Sequence, residues 1–407
     1  MSLDESPIVL LARQPIYDRS MQIYGYELLF RRGDSSSAGT IASAQSAATI
    51  VRAVSDIGLQ KLVEDKPAFI NVPWYLLCDP ALELLPPERV VLELLEDTEP
   101  TEQNIEAAAG LVKKGFTLAM DDFVFGSPQE AFLPHCKIVK VDLFENDLRH
   151  MTAHVRKLKK QRLRVLAEKV ETTEMYGKCI AAGFDFFQGY FFARPDLVSS
   201  RKVPEGGAML LRLMSMLSQP GVKLVDVEEL VSTDVTLTFR LLKLVNSASL
   251  ALNKPIDSLR MALLVLGTER IVALVSLLAM VGLGCKSSEL LTTAMVRAKM
   301  CEEVAVAIKL PDPNKHFTVG LLSVLEAMFD TPVADLMEQL PLAPEIKAAL
   351  IDPDSTCELG RSLRLALAFE QGDWSVCDEL ADQERAISES YITAVTWAIE
   401  TKQSLAA

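Results

Sequence analysis

Polar side chains with metal-binding chemistry stand at the ends of short apolar runs in the first half of the chain. The adjacent carboxylates Asp121 and Asp122 follow the run TLAM, which is typical of a buried strand. Both can face one site only where the strand has ended and the backbone turns, because side chains alternate along a strand. Two acids so placed can bind divalent cations, whereas an isolated Asp-Asp pair is more often solvated surface.

The same arrangement recurs, and the repetition favours one shared site. Taken singly, Glu27 could pair with Arg31 or Arg32, and Lys140 with Asp142. Several carboxylates in apolar strands require a compensating cation, because an unpaired buried charge is costly. Glu, Asn and Asp oxygens suit Mg²⁺ or Mn²⁺ better than zinc or copper, which favours metal-dependent phosphoryl chemistry. The candidate residues are Glu27, Asn71, Glu93, Asp121, Asp122, Lys140, Glu168 and Gln188.

Strand-like runs that alternate with amphipathic helical stretches would position these side chains. The alternation predicts an α/β fold, a TIM-like (β/α) barrel, for the N-terminal domain. In such a barrel the active-site groups lie at the C-terminal ends of the strands, where many of these polar residues fall. The runs are IVLLARQPIY, IYGYELLFR, PAFINV, VVLELL, TLAMDDF, IVKVDL, RVLAEKV and FDFFQGY.

The pattern changes after RPDLVSSRKVPEGG, a stretch rich in proline, glycine, serine and charge. Apolar residues then recur at helical spacing, which predicts an all-α C-terminal domain. We place a barrel domain at 1–195, a linker at 196–207 and a helical domain at 208–407. His316 is the only histidine after the linker and lies in the polar turn PNKHF. One histidine cannot build a multi-histidine metal site, so we expect His316 at the surface and a non-catalytic helical domain.

Composition and charge restrict the function classes. The formal net charge of −14 opposes non-specific binding to nucleic acid or anionic membrane. No signal peptide is recognised, and the most apolar window, 271–285, is shorter than a bilayer-spanning helix, so we expect a cytoplasmic protein. The 7 cysteines are scattered without C-x-x-C spacing, which predicts neither a disulfide framework nor a thiolate zinc site.

The ordered motifs resemble known families. YELLFR resembles the signature strand of the EAL family of cyclic di-GMP phosphodiesterases, with Leu28 where the motif has alanine. FINVP, VLELLE, MDDF, VKVD, AEKVET and FQGYFFARP resemble the following family strands in order, over roughly the first 195 residues. In the second half, LLKLVNSAS and KPIDSLRMALLVLG resemble the HDOD family, helical modules related to HD-type metal phosphohydrolases.

The EAL resemblance implies a metal centre. It would make four of the polar residues ligands of one cation and would assign a fifth to a second cation. The ions, Mg²⁺ or Mn²⁺, activate a water for in-line attack on a phosphodiester in the active members. The four ligands of the first cation would be Glu27, Asn71, Glu93 and Asp121, and the residue on the second would be Asp122.

The resemblance also implies roles beside the metals. Lys140 would bind the attacking water or the phosphate, and Glu168 would be a metal-linked carboxylate and candidate general base. Gln188 would position the site. Arg31 would contact a ligand phosphate through its planar guanidinium.

Two longer segments also depart from the family patterns. The loop after Asp122 reads FVFGSPQEAF, where active EAL members typically continue Phe-Gly-Thr-Gly-Tyr-Ser-Ser. That loop supports the metal pair and a dimer contact, and altered support commonly lowers metal affinity or activity by roughly 10 to 100-fold. In the helical half, Gly320-Leu321-Leu322-Ser323-Val324 stands where a catalytic relative would carry Gly-Leu-Leu-His-Asp.

The sequence therefore predicts a cytoplasmic bacterial signalling protein with an EAL-like barrel and a non-catalytic HDOD domain. The favoured hypothesis is regulatory: the barrel binds cyclic di-GMP or serves as a scaffold, and the helical domain binds a protein partner. A homodimer is compatible with this hypothesis. The alternative is an active metal-dependent phosphodiesterase that hydrolyses cyclic di-GMP to the linear dinucleotide. A third hypothesis treats both halves as protein-interaction modules without a nucleotide ligand.

Overall fold

The chain divides into two compact units in a computed structural model. The first comprises Met1–Phe191 with Glu370–Asp378, and the second comprises Phe192–Phe369 with Glu379–Ala407. The predicted linker, 196–207, lies outside the described residues. The structure describes residues 9–32, 51, 54, 58–143, 148–189, 223–246, 256–282, 288–329, 331–339, 342–354, 357–378 and 383–406.

Eight strands close into a barrel in chain order, and each corresponds to one of the strand-like runs of the sequence. The predicted TIM-like α/β barrel is thereby confirmed. The strands are β1 (Val9–Asp18), β2 (Ile23–Arg32), β3 (Ala68–Val72), β4 (Val90–Leu94), β5 (Thr117–Met120), β6 (Ile138–Asp142), β7 (Arg164–Glu168) and β8 (Phe186–Phe187). Helices described around them are α1 (Leu59–Val63), α2 (Glu102–Lys113), α3 (Leu148–Lys160) and α4 (Thr173–Ala182).

The first strand departs from the all-parallel pattern of a TIM barrel. β1 pairs antiparallel with both β2 and β8, whereas the other neighbouring pairs are parallel. A tight turn joins β1 to β2, and Asp18 Oδ1 accepts from the N–H groups of Ser20 (2.7 Å) and Gln22 (3.0 Å). Antiparallel pairing follows because so short a connection cannot form the crossover that parallel strands need.

An apolar layer fills the inside of the barrel. Gly25 completes it on β2, where it pairs with Ile16. A Cβ on Gly25 would lie 2.8 Å from the carbonyl oxygen of Pro67 and 3.0 Å from the ring of Phe69, so glycine leaves the space that the phenylalanine ring occupies. The other strands contribute Ile16, Phe69, Val91, Ala119, Ile138, Leu166 and Phe186.

The second half of the chain is helical in its described residues, which confirms the all-α prediction. The helices are α5 (Leu224–Ser232), α6 (Val235–Val245), α7 (Leu259–Leu266), α8 (Thr268–Gly282), α9 (Ser288–Ala307), α10 (Pro313–Leu322), α11 (Leu325–Phe329), α12 (Val333–Gln339), α13 (Pro344–Ile351), α14 (Glu358–Gln371), α15 (Ser375–Asp378) and α16 (Glu384–Ala406). The apolar window falls largely on α8, where Ile271 to Leu278 are buried. Among the described helices, none combines the length and hydropathy needed to span a bilayer.

The helical core depends on a close approach between α9 and α10. Gly320 on α10 lies against α9, and a Cβ at this position would overlap the backbone of Arg297 and Ala298. Arg270 on α8 lies over the ring of Phe317, with the guanidinium carbon 3.9 Å from the ring centroid. The segment around Gly320 therefore has a packing role in this chain.

The prediction of a surface position for His316 is wrong. Proline at the first position of α10 starts the helix in the middle of the polar turn, so His316 already faces the core. The side chain is 1% exposed, and Nδ1 lies 2.6 Å from Oγ of Ser362. The polar residues next to His316 in the sequence led to the wrong prediction.

We predict that Gly320→Ala destabilises the helical unit by about 1–3 kcal/mol, because the added methyl forces α9 and α10 apart. Gly177→Ala on α4 is the matched control, since nothing lies within 4 Å of a Cβ at that helical glycine. The control substitution should raise stability by about 0.5–1 kcal/mol through helix propensity. Urea unfolding monitored by circular dichroism measures both, and equal midpoints for Gly320→Ala and wild type would contradict the prediction.

Candidate functional site

A polar layer lies directly above the apolar layer in the barrel. On the parallel strands each polar residue stands two positions after a member of the apolar layer, as Asn71 follows Phe69, so both side chains share the inner face. On the reversed β1 the order is inverted, and Gln14 precedes Ile16. The polar layer consists of Gln14, Glu27, Asn71, Glu93, Asp121, Lys140, Glu168 and Gln188.

The ammonium group of Lys140 occupies the centre of this layer. The side chain is 1% exposed, and Nζ lies 2.6 Å from Asp121 Oδ1, 3.0 Å from Glu93 Oε1, 3.0 Å from Glu168 Oε1 and 3.2 Å from Glu27 Oε2. β6 supplies this residue, and the carboxylates come from β2, β4 and β7 and from the end of β5. Four acids on one lysine leave a negative excess when all are ionised, so the cluster favours a further cation or bound protons.

Burial and mutual repulsion shift the pKa of several of these groups. Burial, with the charges of neighbouring acids, raises the pKa of Glu93 and Glu168 well above the usual glutamate range. Burial raises the pKa of Asp121 to about 6, although Lys140 acts in the opposite direction. Burial disfavours the charged ammonium, but the four carboxylates outweigh it and raise the pKa of Lys140 well above its usual value.

Glu27 is the carboxylate with the most hydrogen bonds in the layer. Its Oε1 accepts from Asn71 Nδ2 at 3.0 Å, and its Oε2 accepts from Gln188 Nε2 at 2.7 Å and from Lys140 Nζ at 3.2 Å. Burial raises the pKa of Glu27, but Lys140 and these hydrogen bonds outweigh it and hold the pKa below the ordinary value. Glu27 is therefore held as a carboxylate at neutral pH.

Several buried oxygens of the polar layer have no donor in hydrogen-bond geometry among the described residues. Lysine carries only three N–H donors, so Lys140 lies close to more oxygens than it can serve. Oxygen ligands that converge from separate strands suit a hard divalent cation such as Mg²⁺ or Mn²⁺, and the residues present fit that group. The oxygens without a donor are Asn71 Oδ1, Glu93 Oε2 and Glu168 Oε2, whereas Asp121 Oδ1 and Glu93 Oε1 share the Lys140 ammonium.

Comparison with known proteins identifies the family. Residues 75–195 match the EAL domain family, and residues 203–332 match the HDOD domain family. The chain is 35% identical over 397 residues to the cyclic di-GMP phosphodiesterase CdgJ of Vibrio cholerae, which covers 95% of this chain and 91% of that protein. The chain belongs to the EAL–HDOD family. It is also 29% identical over 403 residues to the uncharacterized protein YuxH of Bacillus subtilis, covering 96% and 98% of the two chains.

Two solved structures resemble part of this EAL–HDOD chain. The EAL domain protein of Listeria monocytogenes is 24% identical, covers 45% of this chain and 87% of its own, and has a TM-score of 0.36. Klebsiella pneumoniae BlrP1, solved with calcium and cyclic di-GMP, is 24% identical, covers 48% of this chain and 58% of its own, and has a TM-score of 0.39.

The divergent loop of this EAL–HDOD protein has its own support. The ring of Phe125 stacks on the ring of His154 from α3, with the centroids 4.0 Å apart. The Gly126 N–H donates to Glu130 Oε1 at 3.1 Å, and Lys157 from α3 donates to the same oxygen at 3.2 Å. The loop therefore packs on α3 through contacts that the family motif did not predict.

Asp122 lies apart from the Lys140 contacts. Its backbone has a positive φ of 40°, and the chain turns there, as expected for two acids at a strand end. The carboxylates of Glu96, Asp121 and Asp122 have oxygens within 4.8 Å of one another. Gln129 from the divergent loop donates to the carbonyl oxygen of Glu96 at 2.9 Å. This group of acids forms a second point where a cation fits.

Two polar residues differ from the others: Gln14 was not predicted from the sequence, and Arg31 was predicted but is described only through its backbone. Gln14 was missed because β1 is reversed, and the signal available was its place two residues before Ile16 on the hairpin opposite Glu27. Arg31 lies on β2, paired with Leu10, but its side chain lies outside the described residues. The structure thus brings Glu27, Asn71, Glu93, Asp121, Lys140, Glu168 and Gln188 together and sets Asp122 beside them.

We predict that Lys140→Met destabilises the barrel by about 3–5 kcal/mol near neutral pH, because it leaves buried carboxylates without their cation. Acids whose folded pKa is raised bind protons on folding, so the loss should shrink as the pH falls from about 8 to about 5. Thermal unfolding at both pH values measures it, and Mn²⁺ should restore part of the stability.

Lys157→Met is the matched control for this prediction, since Lys157 is exposed and pairs with Glu130. Its loss should cost less than about 1 kcal/mol at either pH. A Lys140→Met protein with an unchanged melting temperature at both pH values would show that the ammonium does not hold the cluster together.

Proposed function

We propose that this EAL–HDOD protein is a metal-dependent phosphodiesterase that hydrolyses cyclic di-GMP to the linear dinucleotide. The observation that carries the proposal is the excess of buried oxygens in the polar layer. Four carboxylates share the single Lys140 ammonium, and Asn71 Oδ1, Glu93 Oε2 and Glu168 Oε2 have no donor among the described residues. The name of the Vibrio cholerae relative, a cyclic di-GMP phosphodiesterase at 35% identity, supports the choice of substrate. The sequence favoured a regulatory role. We prefer the enzyme because the four predicted carboxylates Glu27, Glu93, Asp121 and Glu168 all lie at the Lys140 ammonium.

The polar layer divides into residues that hold cations and residues that act on the substrate. When bound, a divalent cation polarises the phosphodiester and lowers the pKa of a water. Asp122 would serve a second cation, together with Asp121 and Glu96, whose carboxylates lie beside it. The first cation would be Mg²⁺ or Mn²⁺, held by Glu27, Asn71, Glu93 and Asp121.

The remaining groups would bind the phosphate and move the proton. Lys140 would contact the phosphate or the attacking water, and Arg31 would contact a phosphate oxygen. Glu168 would accept the proton of the water while the water oxygen bonds to phosphorus. One P–O ester bond breaks, and the leaving ribose oxygen takes up a proton and stays in the linear dinucleotide as a hydroxyl group. Gln188 would position Glu27, to which it donates at 2.7 Å.

We predict Mn²⁺- or Mg²⁺-dependent conversion of cyclic di-GMP to the linear dinucleotide by the purified chain, measured by product chromatography. Glu27→Ala should abolish turnover by removing a metal ligand, and Glu168→Gln should lower the rate by roughly 10² to 10⁴-fold by removing the base. Glu83→Gln is the matched control, because Glu83 forms an exposed pair with Lys114. Equal rates in wild type and Glu27→Ala would reveal a contaminating activity and refute the assignment.

A second candidate is a regulatory protein that binds cyclic di-GMP without hydrolysing it. The observation in its favour is the position of Lys140, whose ammonium contacts four carboxylates and so compensates part of their charge. Calorimetry distinguishes the candidates: binding heat with intact nucleotide recovered afterwards supports the regulator. Dependence of that heat on Arg31, tested with Arg31→Ala, would identify the phosphate contact in either case.

For the helical domain we propose a non-catalytic role as a binding module for a protein partner. We also propose that the protein is cytoplasmic, and a homodimer is compatible with this role. Exposed apolar side chains support this role: Phe239 on α6 is 68% exposed, and Leu264 on α7 is 65% exposed. The proposed division has a barrel domain at 1–195 and a helical domain at 208–407, from which the compact unit of the barrel takes Glu370–Asp378.

We predict that the double variant Phe239→Ser and Leu264→Ser loses a partner retained by the wild-type chain on an affinity column, while cyclic di-GMP hydrolysis is unchanged. The reason is the loss of apolar area at the interface, which commonly carries most of the binding energy. Val306→Ser on α9 is the control, since Val306 is also an exposed apolar residue. Retention of the partner by the double variant would show that Phe239 and Leu264 do not bind it.

A further inference from the structure

Gln14 is the member of the polar layer to which the proposed function gives no role. Its side-chain oxygen Oε1 accepts from Gln188 Nε2 at 2.9 Å. Its side-chain nitrogen Nε2 lies 3.1 Å from the carbonyl oxygen of Gln371 and 3.4 Å from that of Glu370. The two ends of one amide therefore join the polar layer to backbone more than 350 residues away in the chain.

The segment that accepts these hydrogen bonds belongs to the same compact unit as the barrel, which includes Glu370–Asp378. Gly372 has a positive φ of 67°, and a Cβ there would lie 2.5 Å from Cδ1 of Leu29 on β2. The backbone of the segment thus lies directly against the β1–β2 hairpin. A glycine is required both by the left-handed backbone and by this close approach.

The carbonyl oxygens determine which way the Gln14 amide points. With Nε2 directed at Gln371 and Glu370, only Oε1 remains for Gln188. A flipped Gln14 would set its N–H group against the N–H group of Gln188. In the observed orientation Gln188 Nε2 donates to Glu27 Oε2 as well, at 2.7 Å. Its own oxygen Oε1 is buried and has no donor among the described residues.

We propose that Gln14 is a positioning residue for the metal centre and that the backbone of residues 370–372 fixes its amide. The order of contacts runs from the carbonyl oxygens of the segment through Gln14 and Gln188 to Glu27. Displacing the segment releases the Gln14 amide, and Gln188 then loses the acceptor that holds it beside Glu27. The proposal rests on the proposed function only in that Glu27 is taken as a metal ligand.

Two substitutions separate the steps of this chain of contacts. Gln14→Glu keeps an oxygen for Gln188 but cannot donate to the carbonyl oxygens of the segment. Gly372→Val leaves Gln14 intact and pushes the segment away from Leu29. Gly58→Val is the matched control, because Gly58 also has a positive φ, 88°, and nothing lies within 4 Å of a Cβ there.

The first readout needs neither metal nor substrate. In ¹⁵N-glutamine-labelled protein, the side-chain amide signal of Gln188 is assigned by its loss in Gln188→Glu. We expect this signal to shift, and its hydrogens to exchange faster, in Gly372→Val and Gln14→Glu but not in Gly58→Val. An unshifted signal in both variants overturns the proposal, and a shift in Gln14→Glu alone overturns the role of the segment.

The second readout is the affinity for Mn²⁺, measured by calorimetry on the metal-free full chain. We expect Gly372→Val and Gln14→Glu to weaken Mn²⁺ binding by roughly tenfold, as is usual when a group that orients a ligand is lost. Unchanged affinity in both variants overturns the proposal. Wild type that binds Mn²⁺ but does not hydrolyse cyclic di-GMP refutes the phosphodiesterase, whereas the affinity series still decides the role of Gln14.

Discussion

The contact of one buried ammonium with four carboxylates governs the barrel. Lys140 comes from β6 of the closed barrel, and its partners reach it from β2, β4 and β7 and from the end of β5, so the ion pairs join strands distant in sequence. Such a cluster is costly to bury, and its negative excess gives the folded chain a standing preference for an additional cation. Stability and chemistry are therefore coupled in the same atoms. A change that relieves the mutual repulsion of the acids also removes the attraction of the cluster for an added cation.

Most residues of the polar layer in the barrel could be predicted from the sequence. Strand-like runs that alternate with helical stretches predict the barrel, and the polar residues at the ends of these runs predict the seven inward polar residues from Glu27 to Gln188. The direction of β1 does not follow from this pattern, because side chains alternate in the same way in parallel and antiparallel strands. Gln14 was missed for that reason, and only the tight turn after Asp18 indicates that the strand is reversed.

In the helical half, spacing predicts helices but not what they surround. His316 was expected at the surface because its neighbours are polar, yet a proline starts α10 early enough to turn it inward onto Ser362. Gly320 serves close packing against α9, which helical spacing alone does not indicate. Likewise, helical spacing assigns Glu370–Asp378 to the helical half, whereas the segment packs with the barrel. Such long-range contacts depend on surface fit, which a local pattern does not encode.

The apolar layer lies directly beneath the polar one on the inner face of the barrel. Phe69, Ala119 and Leu166 have no exposed area, so the polar side chains two positions further along stand on hydrocarbon rather than on water. A layer of hydrocarbon cannot compensate the charges above it, which therefore depend on one another and on Lys140. The size of the apolar residues thus sets the depth of the charged groups, and a substitution in this layer would change the electrostatics of the site without touching a polar residue.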